Sequence, residues 1–87
     1  MAILIDAPRW ARAPDGQRFA HLASDASHAE LDAFVARLDL PRPLRFHNDH
    51  YDVPAAWWAA VVEQGAYAVT TRELVRRLRA RGLRTRG

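Results

Sequence analysis

An 87-residue chain without cysteine excludes disulfides and thiolate metal sites and leaves room for one modest hydrophobic core. Hydrophobic residues at 49% and charged residues at 26% exclude a disordered chain, and no apolar run reaches the roughly 18 residues that cross a bilayer. All 13 basic residues are arginine, and they are spread unevenly: residues 1–71 hold six against nine acids, residues 72–87 hold seven against Glu73 alone.

Ile3-Leu4-Ile5 is a short apolar run ending at Asp6, read as a buried strand. The opening residues carry no basic leader, so the chain is expected in the cytoplasm, with no membrane partner. Pro8 and Pro14-Asp15-Gly16 mark a loop. Phe19-Ala20-His21-Leu22-Ala23 alternates weakly, as a short strand or as part of that loop. Ser27-His28-Ala29-Glu30 fits a capping box. Leu31, Phe34, Val35 and Leu38 follow at the spacing of one apolar helical face, until Pro41 and Pro43 end it.

Leu44-Arg45-Phe46 reads as a second strand, with the polar cluster His47-Asn48-Asp49-His50-Tyr51-Asp52 at its exit. Pro54 suits a first helical turn, with Asp52 as its cap, and Trp57, Trp58, Val61 and Val62 give that helix its apolar face. Gly65 suits a left-handed stop. Tyr67-Ala68-Val69 is a third strand, and Thr70 to Glu73 is a second capping box. It opens a helix that turns Leu74, Val75 and Leu78 inward.

This alternation predicts one α/β domain over residues 1–87, with helices near 27–39, 54–64 and 71–81. About three strands are expected in a small parallel sheet, in two or three layers. A flexible basic tail is expected at 84–87. In open parallel sheets ligands bind beyond the carboxyl ends of the strands, which is where Asp6 and the 47–52 cluster fall.

Without thiolates, imidazole and carboxylate are the ligands left for a metal. Asp6, Asp25, His47 and Asp52 are the candidate ligands of a divalent ion. His50 and His21 are the candidate proton carriers, and Arg9, three residues after Asp6, can clamp a phosphate. The bland alternative is a surface turn rich in Asn and Asp. Adjacent tryptophans point about 100° apart on a helix, so one of Trp57 and Trp58 is expected to be exposed and covered by a second subunit in a homodimer. Arg72, Arg76 and Arg79 share a helix face, either solvated or set against nucleic acid or an acidic partner. No glycine-rich phosphate loop, nucleophile elbow or dinucleotide fingerprint is present.

Ile5-Asp6 with Arg9, His21-Leu22 with Asp25, Glu30-Leu31, His50-Tyr51-Asp52, Gly65-Ala66 and Arg72-Glu73-Leu74 together resemble the small bacterial and phage domain family of unknown function numbered 4031. The resemblance spans nearly the whole chain. Two positions depart from it: Asp32 stands where histidine is common, and Asp39 where glycine is. The family brings no established activity, but its signature residues are mostly polar and come from three separated segments. Two functions are therefore expected to compete: a metal-assisted hydrolase or binder of phosphoester or nucleotide ligands, and a non-catalytic module binding through the Arg72–Arg86 helix.

Overall fold

The computed structural model describes residues 2–11 and 17–83. Six strands, β1 (Ile3–Ile5), β2 (Trp10–Ala11), β3 (Arg18–Ser24), β4 (Arg45–His47), β5 (His50–Pro54) and β6 (Tyr67–Ala68), are interspersed with helices α1 (His28–Arg37), α2 (Trp58–Glu63) and α3 (Thr71–Ala80). The sheet order is β4-β5-β3-β1-β6, with β2 pairing against the start of β3.

The α/β class is as the alternation predicts, but the parallel sheet is not. Among the described strands only β1 and β6 pair in parallel; β1–β3, β3–β5 and β4–β5 are all antiparallel. The reason is β3. The weakly alternating segment around His21 is a full seven-residue strand that turns back beside β1, and β5 and then β4 each reverse again against the strand before them. The second strand is likewise a hairpin: His47 pairs with His50 across Asn48-Asp49, a connection that only antiparallel neighbours can use. Asn48 takes φ 60°, and the Asp49 N–H donates to the His47 carbonyl at 2.7 Å, closing a tight γ-turn of the strained kind. Asp52 is therefore a strand residue rather than a helix cap. The helix after it starts later than expected, as a 3-10 turn at Ala55–Trp57 that continues into α2.

Side chains alternate along each strand, so the sheet has two distinct faces. Ile3, Ile5, Ala20, Leu22 and Val53 pack with Leu31 and Phe34 of α1 and Val61 of α2. On the other face, Leu4 and Ala23 meet Leu74 and Leu78 of α3. That second apolar cluster is small, and α3 covers only part of its face.

Both capping boxes form by half. Ser27 Oγ accepts from the Glu30 N–H and Thr70 Oγ1 from the Glu73 N–H, each at 3.0 Å. The returning carboxylates go elsewhere: Glu30 accepts from Ser24 Oγ, and Glu73 binds Arg76 and Arg77. Ser24 Oγ in turn accepts from the Ser27 N–H, the group a full box would have given to Glu30.

Gly65, at φ 129°, ends α2: its N–H donates to the Val62 carbonyl and that of Ala66 to Val61. A β-carbon there would sit 3.3 Å from the Phe34 ring. Gly65→Ala is expected to lose about 1–3 kcal/mol through backbone strain alone, read as a lower urea midpoint at unchanged slope. An unchanged midpoint would mean that the turn relaxes freely.

Neither tryptophan is exposed as the dimer expectation requires. Both are half-buried against the larger core. The Arg42 guanidinium lies 5.4 Å from the Trp57 ring centre, and Trp58 Nε1 donates to the Asp6 carbonyl at 2.8 Å. Among the described residues, the large exposed apolar ones are Phe46 and Tyr67 instead. The tail at 84–87 lies outside the described residues. No helix among the described residues is long and apolar enough to cross a membrane.

Candidate metal centre

Register builds the site. Asp6 follows β1 and lies beside His21 of β3; His21 pairs with Asp52 of β5, and Asp52 with Arg45 of β4. These residues form one row across the sheet, on the face that α3 covers only in part. His50, two positions before Asp52 on β5, shares that face.

Asp6 is fully buried and organises its neighbours. Its Oδ1 accepts from the His21 N–H at 2.7 Å, and its Oδ2 meets His21 Nδ1 at 2.8 Å and the Thr71 hydroxyl at 2.7 Å. A second carboxylate–imidazole pair lies alongside, with His50 Nδ1 at 2.7 Å from Asp49 Oδ1. His50 Nε2 is 3.3 Å from Asp52 Oδ1. The His21 and His50 rings meet edge to face at 4.7 Å. One ligand atom from each of His21, His50 and Asp52 falls within a mutual 4.8 Å.

Burial by itself would raise the Asp6 pKa. The bonds from the His21 ring and backbone and from Thr71 outweigh it, so the carboxyl sits below its ordinary range. Burial lowers the His50 pKa, only partly offset by Asp49, so the neutral ring is favoured. An ionised carboxylate only accepts hydrogen bonds. A neutral His50 that donates through Nδ1 to Asp49 therefore turns its Nε2 lone pair toward the Asp52 carboxylate. His21, held through Nδ1 by Asp6, has Nε2 as its other ring nitrogen.

Of the residues singled out by sequence, Asp6, His21, His50 and Asp52 come together, and His47 stands next to them with its ring 5.6 Å from that of His50. Parallel strand ends are not what gathers them. Side-by-side registration on antiparallel strands does, so the cluster lies on the face of the sheet rather than beyond its edge.

Asp25 goes to the far end. The seven residues of β3 carry it to the start of β1, where it accepts from the Ala2 N–H at 2.7 Å and from Arg77 at 3.3 Å. Arg9 is exposed, and its carbonyl accepts from Arg18. Asp6 gives its oxygens to His21 and Thr71 instead. Asp32 accepts from the Tyr51 hydroxyl at 2.8 Å, and Tyr51 alternates with His50 and Asp52 on the opposite face, so Asp32 does not enter the centre. Sequence reasoning passed over three contributors: Asp49, Thr71 and the Trp58 indole. Asp49 stood within the noted cluster, but nothing local marks Thr71 or Trp58, which reach Asp6 across 65 and 52 positions.

The family described as "Protein of unknown function (DUF4031)" matches residues 3–81. The chain belongs to this family. Every residue of the centre lies within the matched span of this DUF4031 member. No curated protein and no solved structure matches the chain.

Proposed function

We propose that His21, His50 and Asp52 hold one divalent ion of the zinc type, and that this DUF4031 chain is a metal-assisted phosphoester hydrolase. One observation carries the reading. Two imidazoles are each anchored through Nδ1 by a carboxylate, Asp6 or Asp49, and the same small volume contains Asp52. Outer carboxylates that orient a ligating imidazole are the usual companions of zinc-bound histidine. A neutral His50 facing the Asp52 carboxylate is an unfavourable pair of acceptors that a cation would convert into two ligands. Two nitrogens and one carboxylate match the ligand sets of hydrolytic zinc, which leave a position open.

Such an ion, held by His21, His50 and Asp52, would supply an activated water near neutral pH and polarise a phosphoryl oxygen. The chain's own residues do the rest. Asp6 and Asp49 hold the two rings in the ligating tautomer. Arg45, the cross-strand partner of Asp52, stands where it can orient an anionic ester. Exposed His47 can carry protons to solvent. In the net reaction water's oxygen joins phosphorus, the phosphorus–oxygen ester bond breaks, and water's proton leaves on the alcohol.

Equilibrium dialysis against zinc tests the reading, with expected uptake of one equivalent and a raised melting temperature. No uptake and an unmoved transition would refute it.

A second reading rests on α3, where Arg72, Arg76 and Arg79 line a surface groove with Val75. Its charge is moderated by Glu73, which binds Arg76 and Arg77. Association with nucleic acid that weakens steeply with salt, without turnover, would favour this binding module over the hydrolase.

A further inference from the structure

We infer that a cavity beside the centre, bounded by Phe19, Arg42, Arg45, Asp52 and Trp57, is the substrate subsite and takes a nucleoside monophosphate. For its chemistry the inference rests on the metal-centre reading above; for binding it stands alone.

Position is the first argument. The cavity measures about 230 Å³ and lies where β5 leaves the sheet and β4 enters it. Asp52 belongs both to its wall and to the metal-ligating group, so a ligand seated there has one end against the centre. The larger cavity, about 540 Å³, lies on the other side of the 42–44 segment and is walled by α1, Leu40 and Tyr51. It contains no residue of the centre.

Charge is the second. Arg42 and Arg45 both line the cavity, and its one carboxylate, Asp52, is already assigned to the cation. With the ion in place the wall is cationic and suits phosphate, which guanidinium groups grip through paired N–H donors. Arg45 is the cross-strand neighbour of Asp52, so its guanidinium and an ion held by Asp52 would serve the same stretch of the wall.

The third is the aromatic content. Phe19, two residues before His21 on β3 and on the same face, supplies a ring surface, and Arg42, laid over Trp57 at 5.4 Å, presents a guanidinium plane. Aromatic and guanidinium planes together accept a nucleobase irrespective of its identity. The small volume favours one nucleotide over a run of several. In hydrolysis there, water's oxygen would join phosphorus, the bond from phosphorus to the ribose oxygen would break, and that oxygen would take the proton, releasing nucleoside and inorganic phosphate.

The test is calorimetric titration of the full chain, zinc-free and zinc-loaded, with adenosine monophosphate, adenosine and inorganic phosphate. Adenosine monophosphate is expected to bind at least about fivefold more tightly than inorganic phosphate, the least that one stacked base adds to a phosphate contact, and more tightly than adenosine. Arg45→Gln should reduce its affinity to that of adenosine, and Phe19→Leu toward that of phosphate, while both variants still take up zinc. Equal binding of the three probes, or none, by protein that still takes up zinc overturns the subsite and leaves the metal centre standing. Tight nucleotide binding by a chain that refuses zinc supports the subsite and removes the hydrolase.

Discussion

His50→Gln is expected to lose zinc affinity by more than the 10–100-fold typical of removing a carboxylate behind a ligating histidine. The glutamine keeps a polar side chain of similar reach, so the fold should survive, whereas an alanine would leave Asp49 and Asp52 crowded together without the imidazole between them. His47→Gln is the matched comparison. His47 was a candidate ligand on sequence, yet its ring is exposed and lies beside that of His50, and the proposed ligating group is His21, His50 and Asp52. Zinc affinity of the His47 variant should stay at the wild-type level. If both variants lose zinc equally, or if His50→Gln binds as well as wild type, the assignment of the centre is wrong.

The same residue gives a pH signature in the zinc-free protein. The folded pKa of His50 lies below its ordinary 6.5, so the unfolded chain takes the proton more readily. As the pH falls below 6.5 this favours the unfolded state, and stability declines until the folded pKa is passed. Denaturation midpoints measured from pH 7.5 downward should fall for wild type and fall less steeply for His50→Gln.

Asp6→Ala is expected to cost about 3–5 kcal/mol, the range for removing one member of a buried, hydrogen-bonded charged group. Three donors lose their acceptor at once, the His21 N–H, the His21 ring and the Thr71 hydroxyl, and a small void opens at the end of β1. A chain of this size has about 4–13 kcal/mol in total, so this variant should be largely unfolded at modest urea. Asp6→Asn separates architecture from chemistry. It retains an acceptor for the His21 N–H but cannot hold the ring as an ionised carboxylate does, so the fold should largely persist while zinc affinity drops about 10–100-fold. The Asp6 carboxyl also sits below its ordinary 3.8. Its contribution is therefore present above that pH and is lost as the pH falls through the folded value, a loss the asparagine variant should not show. Wild-type stability and zinc affinity in both variants would reduce Asp6 to a bystander.

α1 and α3 were legible in the sequence because caps and apolar spacing act within a few residues: Ser27 and Thr70 open the helices, and Phe34 and Leu74 turn inward as their spacing requires. Strand β1 was legible as an apolar run, and Asp6, His21, His50 and Asp52 were legible as polar residues flanking such runs, which the structure brings close together. Strand direction was not. It depends on which segments hydrogen-bond across long separations, and β3 shows only weak alternation because Phe19, His21 and Ala23 share a face that is part core and part polar site. The Asn48-Asp49 segment reads as the polar exit of a strand, with a surface turn as the alternative, and its direct return into β5 was not legible.

What the sequence determined by itself was therefore the inventory: an α/β chain, its family, the positions of its helices, and the imidazoles and carboxylates available for chemistry. Tertiary structure alone decided the pairing. A strand rises about 3.3 Å per residue, so the length of β3 was enough to put His21 against Asp6 and Asp52 while sending Asp25, four residues on, to Arg77 at the other end of the sheet. Thr71 and Trp58 reach Asp6 only because α3 and α2 pack on opposite faces beside the end of β1, a consequence of long-range burial that no local pattern encodes.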